Sequence, residues 1–218
     1  MNRLFLNRTY LIGPMDRVPD LGVEWRQDIT PFLQSMGVLV LDPTDKKLID
    51  DDNSLETPEA REECRRLLEN EEYDKVAERS PIRETDLRYV DVSDFLICNL
   101  DLDKYPCGTW EESFISNTQK KPLIIRCPQG KKNMPQWMFY TYKRAHRMWF
   151  NEWSEVKEYL RHINEDSEID KLERWKFIDY KTLANDTSKE YNIIRESYYK
   201  YVKFPIGGEK PWPPIRGV

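Results

Sequence analysis

Phe95-Leu96-Ile97-Cys98-Asn99-Leu100, followed after Asp101 to Pro106 by Cys107-Gly108-Thr109-Trp110-Glu111-Glu112, is the stretch on which the fold turns. The first segment is a short apolar run between polar residues, the pattern of a strand buried on both faces. The second opens a helix running to about Asn117. Working outward, the same alternation recurs. Thr9-Tyr10-Leu11-Ile12 reads as a strand stopped by the turn Gly13-Pro14. Val38-Leu39-Val40-Leu41 reads as another, ended by Asp42-Pro43. Pro122-Leu123-Ile124-Ile125 makes a further strand and Met148-Trp149-Phe150 a short last one.

Helices are expected between these strands. Across 24–36, Ile29, Phe32, Leu33 and Met36 recur at helical spacing, with Gly37 as the stop. Pro31 falls inside that helix and predicts a kink or a late start. Further helices are predicted over 82–92, 136–144 and 155–163, the last with Ser154 as its N-cap. Residues 44–80 are highly charged and read as an insertion, with one exposed helix over 59–69 and loop elsewhere.

Strands alternating with helices, with each strand a continuous apolar run, predict an α/β fold. The expected architecture is a flavodoxin- or Rossmann-like open parallel sheet of about five strands with helices on both faces. Residues 1–163 would form this domain. Residues 164–218, rich in Tyr, Trp, Lys and Pro, would form an aromatic-rich C-terminal extension. In such sheets ligands bind beyond the carboxyl ends of the strands. Functional residues are therefore expected just after Ile12, Leu41, Leu100 and Ile125.

Composition narrows the function classes. The formal net charge is −5, so no global basic field exists to attract a nucleic-acid polymer. No apolar run reaches the roughly 18 residues of a membrane span. Residues 1–10 are too polar for a secretory signal. The four cysteines include no C-x-x-C pair, so reduced thiols in a cytoplasmic protein are expected. The only histidines, His146 and His162, have no catalytic pairing in sequence, and no ligand cluster for a metal is apparent.

Three segments can carry chemistry. Glu112 lies in the first turns of a helix that follows a buried strand, where free N–H groups and the helix dipole face the crevice. Gly108 permits close approach of a ligand to the backbone. Asp86 lies near the start of the helix before that strand, whereas Asp94 directly precedes the strand and reads as a turn or cap residue. Tyr10 lies in the first strand, with Gly13-Pro14 at its end. Each alone has a bland reading: a helix-start acid, a solvated acid, a core aromatic. The topology brings all three to one edge of the sheet.

Together these segments resemble the nucleoside 2-deoxyribosyltransferase family and its nucleotide N-glycosidase relatives. The resemblance is carried by Tyr10-Leu11-Ile12-Gly13-Pro14, Trp25-Arg26, Gly37 through Asp42-Pro43, Thr85-Asp86-Leu87 with Asp94, Gly108-Thr109-Trp110-Glu111-Glu112 and Lys121-Pro122, over roughly residues 8–160. It implies Glu112 as nucleophile, Asp86 as the acid that handles the proton of the leaving base, and Tyr10 as the group that positions nucleophile and sugar. It implies substrate contacts at Gly13, Pro14, Gly108 and Thr109. Asn133-Met134 resembles the segment that reaches into a neighbouring subunit, so a homo-oligomer is implied. Where family members carry a base-binding Asp two residues before the glycine, this chain has Pro106, which leaves Asp101 or Asp103 for that role.

The resemblance implies small-molecule partners: a nucleoside or nucleotide and a free nucleobase, with no cofactor. Transfer to a second base and hydrolysis both remain open. Relatives that take nucleoside monophosphates have a Ser- and Gly-rich loop after the first strand, whereas Pro14 to Pro19 here offers Arg17 and few small residues. That contrast favours a nucleoside, and transfer, with hydrolysis of a nucleoside monophosphate as the alternative. A silent nucleotide-binding or interaction module on the same fold is the reading from another class.

Overall fold

A computed structural model of the chain describes residues 3–16, 18–45, 58–104, 106–165, 173–175 and 178. The chain divides into two compact units, residues 1–175 and 176–218. Most of the predicted C-terminal extension, residues 46–57 of the charged insertion and Arg17 lie outside the described residues.

In the first unit the strands are β1 (Arg8–Ile12), β2 (Leu39–Leu41), β3 (Phe95–Asn99), β4 (Leu123–Arg126) and β5 (Trp149–Phe150). The helices are α1 (Val23–Ser35), α2 (Pro58–Glu69), α3 (Tyr73–Ala77), α4 (Pro81–Val92), α5 (Cys107–Thr118), α6 (Gln136–Tyr142) and α7 (Trp153–Glu165). The sheet order is β2-β1-β3-β4-β5, and every neighbouring pair is parallel. β3 pairs with β1 through Ile97↔Leu11 and with β4 through Ile97↔Ile124. Phe95 to Cys98, Leu123 to Ile125 and Leu11 to Ile12 are fully buried, which is why these strands read as unbroken apolar runs.

Right-handed crossovers send α1, between β1 and β2, to one face, and α4 and α5, on the way from β2 to β3 and β4, to the other, because the strand order reverses at β1. On the first face, Trp25 of α1 stacks on Trp153 of α7 at 5.4 Å between ring centroids. On the other, α4 and α5 lie side by side over β1, β3 and β4. The crevice between the carboxyl ends of β1 and β3 is thus the switch point where such sheets take their ligands.

Several local expectations are corrected. α1 continues through Pro31, because Pro31 and Gln27 are both exposed and the carbonyl that loses its donor lies on the solvent side. α3 was not expected: the segment is a single turn and a half, with no buried residue to give it a period. α6 ends at Tyr142, where Lys143 takes a φ of 42° and a 3₁₀ stretch follows. Ser154 lies inside α7. The turn before that helix is instead held by Glu155, whose carboxylate accepts from the N–H groups of Asn151 and Glu152, each at 2.9 Å. Trp175, in the predicted extension, packs its buried ring on Phe95 at 5.2 Å, so it belongs to the core of the first unit.

Candidate active site

A cavity of about 420 Å³ opens at the β1/β3 switch point, within the range of small-molecule sites. The end of β1 and its turn line it through Tyr10, Gly13 and Pro14. The N-terminus of α5 lines it through Pro106 to Thr109 and Glu112. α4 contributes Ile82 and Asp86, α1 contributes Arg26, α2 contributes Arg61, and Pro43 follows β2.

Tyr10 and Glu112 are joined directly: the phenol donates to Oε1 at 2.8 Å. Glu112 sits one turn into α5, 8% exposed, and Tyr10 is 1% exposed. Burial pushes the Tyr10 phenol well above its ordinary value, and the charges of Glu112 and Asp86 push it the same way. The phenol therefore stays a donor throughout the neutral range. Asp86 lines the same cavity from the next helix. The cavity thus has three carboxyl groups, those of Asp16, Asp86 and Glu112, and the last is buried and held in place by a phenol.

Gly13 stands where a side chain would be crowded. A Cβ there would stand 3.0 Å from the Asn99 carbonyl oxygen and 3.1 Å from the Trp25 ring. Gly108 is different: a Cβ there would meet nothing within 4 Å, because the α5 N-terminus faces open space. Thr109 is buried beside it.

Arg26 is the residue whose role the sequence reading missed. It is wholly buried, and its guanidinium donates to the carbonyls of Leu11 at 3.2 Å, Gly22 at 2.8 Å and Gly13 at 3.3 Å. Asp42 lies 3.8 Å away. Burial pushes the guanidinium down from its ordinary value and Asp42 opposes that shift. Gly22, at φ 72°, makes room for it: a Cβ there would stand 2.5 Å from Nη1. Arg26 thus ties the end of β1 to the start of α1 beneath the cavity. A signal existed, since Arg26, Ile29 and Leu33 form one buried stripe at helical spacing, and an arginine in an apolar register calls for partners. Arg61 had no such signal, because α2 carries several arginines alike.

The remaining sequence-predicted residues stand elsewhere. Asp103 does not line the cavity; its carboxylate and that of Asp101 accept from Gln129 Nε2, at 2.9 and 2.6 Å. Asn133 donates to the Gln129 carbonyl, and Met134 is buried in the core; neither lines this chain's own cavity. Asp94 accepts from the Arg8 N–H at 2.7 Å, so it ties the start of β1 at the opposite end of the sheet. The four cysteines form no disulfide, with Cys107 exposed at the cavity and Cys98 buried in β3. Among the described residues there is no cluster of His, Cys, Asp and Glu suited to a metal ion. Among them, too, no helix is long and apolar enough to cross a membrane.

No protein-family model matches this chain, and no curated protein matches it in sequence. Among solved structures, it is similar to a 2-deoxyribosyltransferase from the psychrotolerant bacterium Bacillus psychrosaccharolyticus. The identity is 17%, over 70% of this chain and 91% of that chain, with a TM-score of 0.46.

Proposed function

We propose that this chain cleaves the N-glycosidic bond of a deoxynucleoside and transfers the sugar to a second base, with Glu112 as nucleophile. The observation that carries this reading is the Tyr10–Glu112 hydrogen bond in the wall of a cavity that Asp86 also lines. Two carboxyl groups at one sugar-sized hollow are the equipment of retaining glycosyl chemistry. The residue pattern that resembles the deoxyribosyltransferases supports it independently.

The steps follow from the residue types. A Glu112 carboxylate oxygen bonds to C1′ as the C1′–N bond breaks, and the departing base takes a proton from the Asp86 carboxyl. The cation-like sugar at the transition state is stabilised by the carboxylate beside it. An incoming base then attacks C1′ and returns a proton to Asp86, and the Glu112 ester bond breaks. Water in place of that base gives free deoxyribose. Tyr10 holds the carboxylate in one orientation throughout. Gly13, Pro14, Gly108 and Thr109 shape the walls.

The test is product analysis with deoxynucleosides and deoxynucleoside monophosphates, each with and without a different free base. Exchange of base supports transfer. Release of base without an acceptor supports hydrolysis. An intact-mass adduct on the peptide that holds Glu112 supports the ester. Binding with no turnover supports the silent module, and Glu112→Ala with wild-type turnover removes the nucleophile assignment.

A further inference from the structure

Asp86 and Glu112 belong to different helices, so their separation depends on how α4 sits against α5. We infer that Arg83 and Glu111 are positioning residues that set this separation. Arg83 lies one turn before Asp86 in α4, and Glu111 directly precedes Glu112 in α5. The Arg83 guanidinium meets the Glu111 carboxylate with both arms: Nε donates to Oε2 at 2.9 Å, and Nη2 donates to Oε1. Two parallel charge-assisted bonds fix direction as well as distance. The pairing holds the Glu111 carboxyl below its ordinary range and raises the Arg83 guanidinium.

The far end of the same helix pair is also pinned. Gln119, just past α5, donates to the Asp91 carboxylate at 2.7 Å. Lys121 donates to the Asp91 carbonyl, also at 2.7 Å. Ties at both ends restrain pivoting of α4 against α5, and with it the spacing of the two acids they carry.

Both partners are open to solvent, with side chains 60% and 38% exposed, so the pair adds little to the stability of the fold. Its effect is geometric. In the proposed reaction the nucleophile must stand at C1′ while the acid reaches the base nitrogen. Misplacing a reacting group by about 1 Å costs on the order of a hundredfold. The inference rests on that reading of the site.

The test compares wild type, Arg83→Ala, Glu111→Ala and the exchanged pair Arg83→Glu with Glu111→Arg, by base-exchange kinetics and by crystal structures. Each single variant should lose about tenfold or more in kcat with KM within about twofold, and the exchanged pair should recover most of it. Added salt should slow the wild type by screening the exposed pair and leave Arg83→Ala flat. The Asp86–Glu112 carboxyl separation should change in the single variants and return in the exchanged pair. Wild-type kcat in both single variants, or slow variants with an unchanged separation, overturns the inference. Absence of turnover in wild type sinks the proposed reaction instead, and the crystallographic separations then decide the positioning role by themselves.

Discussion

Tyr10 and Glu112 lie 102 positions apart, and the phenol of one donates a 2.8 Å hydrogen bond to the carboxylate of the other. The bond runs from the middle of β1 to the first turns of α5, beside the crevice where the strand order reverses. It occurs because β1 and β3 are adjacent, which places the helix after β3 over the end of β1. A buried carboxylate needs a donor, and a buried phenol needs an acceptor. Each supplies the other while still lining open space.

Tyr10→Phe keeps the ring, which packs edge-on against Tyr89 at 5.4 Å, and removes only the donor. A hydrogen bond to a charged group is worth about 1.5–3 kcal/mol, which corresponds to a loss of roughly 10- to 150-fold in rate. The expected outcome is that loss in kcat with a near-native circular dichroism spectrum. Wild-type kcat in Tyr10→Phe would remove the phenol from the mechanism.

Alkaline pH should destabilise the fold through the same residue. The Tyr10 phenol is raised above its ordinary value, mainly by burial, and burial also raises Tyr142 and Tyr159. Above about pH 10 the unfolded chain loses phenol protons that the folded chain keeps, so stability falls as pH rises. Each such group contributes about 1.4 kcal/mol per pH unit between its unfolded and folded values. Urea titrations at stepped pH should show this decline, and Tyr10→Phe should make it shallower by about one proton's worth. An equal slope in both proteins would contradict the buried-phenol account.

The central strands were legible because burial on both faces leaves a continuous apolar signature, as in Leu96-Ile97-Cys98 and Leu123-Ile124-Ile125, whereas β2, expected to be buried from the same signature, is an edge strand with Leu39 exposed. α3 was illegible because a five-residue helix with no buried side chain has no periodicity to read. Glu112 stood out through its place after Gly108 on a strand–helix junction. Its contact with Tyr10 follows from strand order, which no local pattern contains. Which arginine of α2 reaches the cavity depends on how that helix docks, in part through Arg79, whose guanidinium donates to the Ala60 carbonyl at 3.1 Å. The Asp101–Asp103 pairing with Gln129 likewise depends on a loop beyond β4.

The two site glycines should respond in opposite ways to alanine. Gly108 is in α5 and meets nothing at its Cβ position, so Gly108→Ala should stabilise the helix by up to about 1 kcal/mol. The added methyl group enters the cavity, so KM should rise. Gly13→Ala drives a methyl group against the Asn99 carbonyl, which is backbone and yields little, at a cost of about 1–3 kcal/mol. Thermal melts and KM values for both variants test the contrast. A raised Tm with unchanged KM in Gly108→Ala would show that no ligand approaches that backbone.

Arg26 separates structural from catalytic loss. Arg26→Met removes a buried charge and leaves the carbonyls of Leu11, Gly13 and Gly22 without that donor, so a loss of about 3–5 kcal/mol is expected. Arg26→Lys keeps the charge, but one ammonium cannot reproduce a planar fork aimed at three carbonyls, so it should rescue only part. Asp42→Asn should cost less than either, since Asp42 stands 3.8 Å away and its side chain is 17% exposed. Urea titration of the three variants ranks them. If Arg26→Met lies within about 1 kcal/mol of wild type, the guanidinium does not hold the end of β1, because a lost buried network of that size cannot be silent.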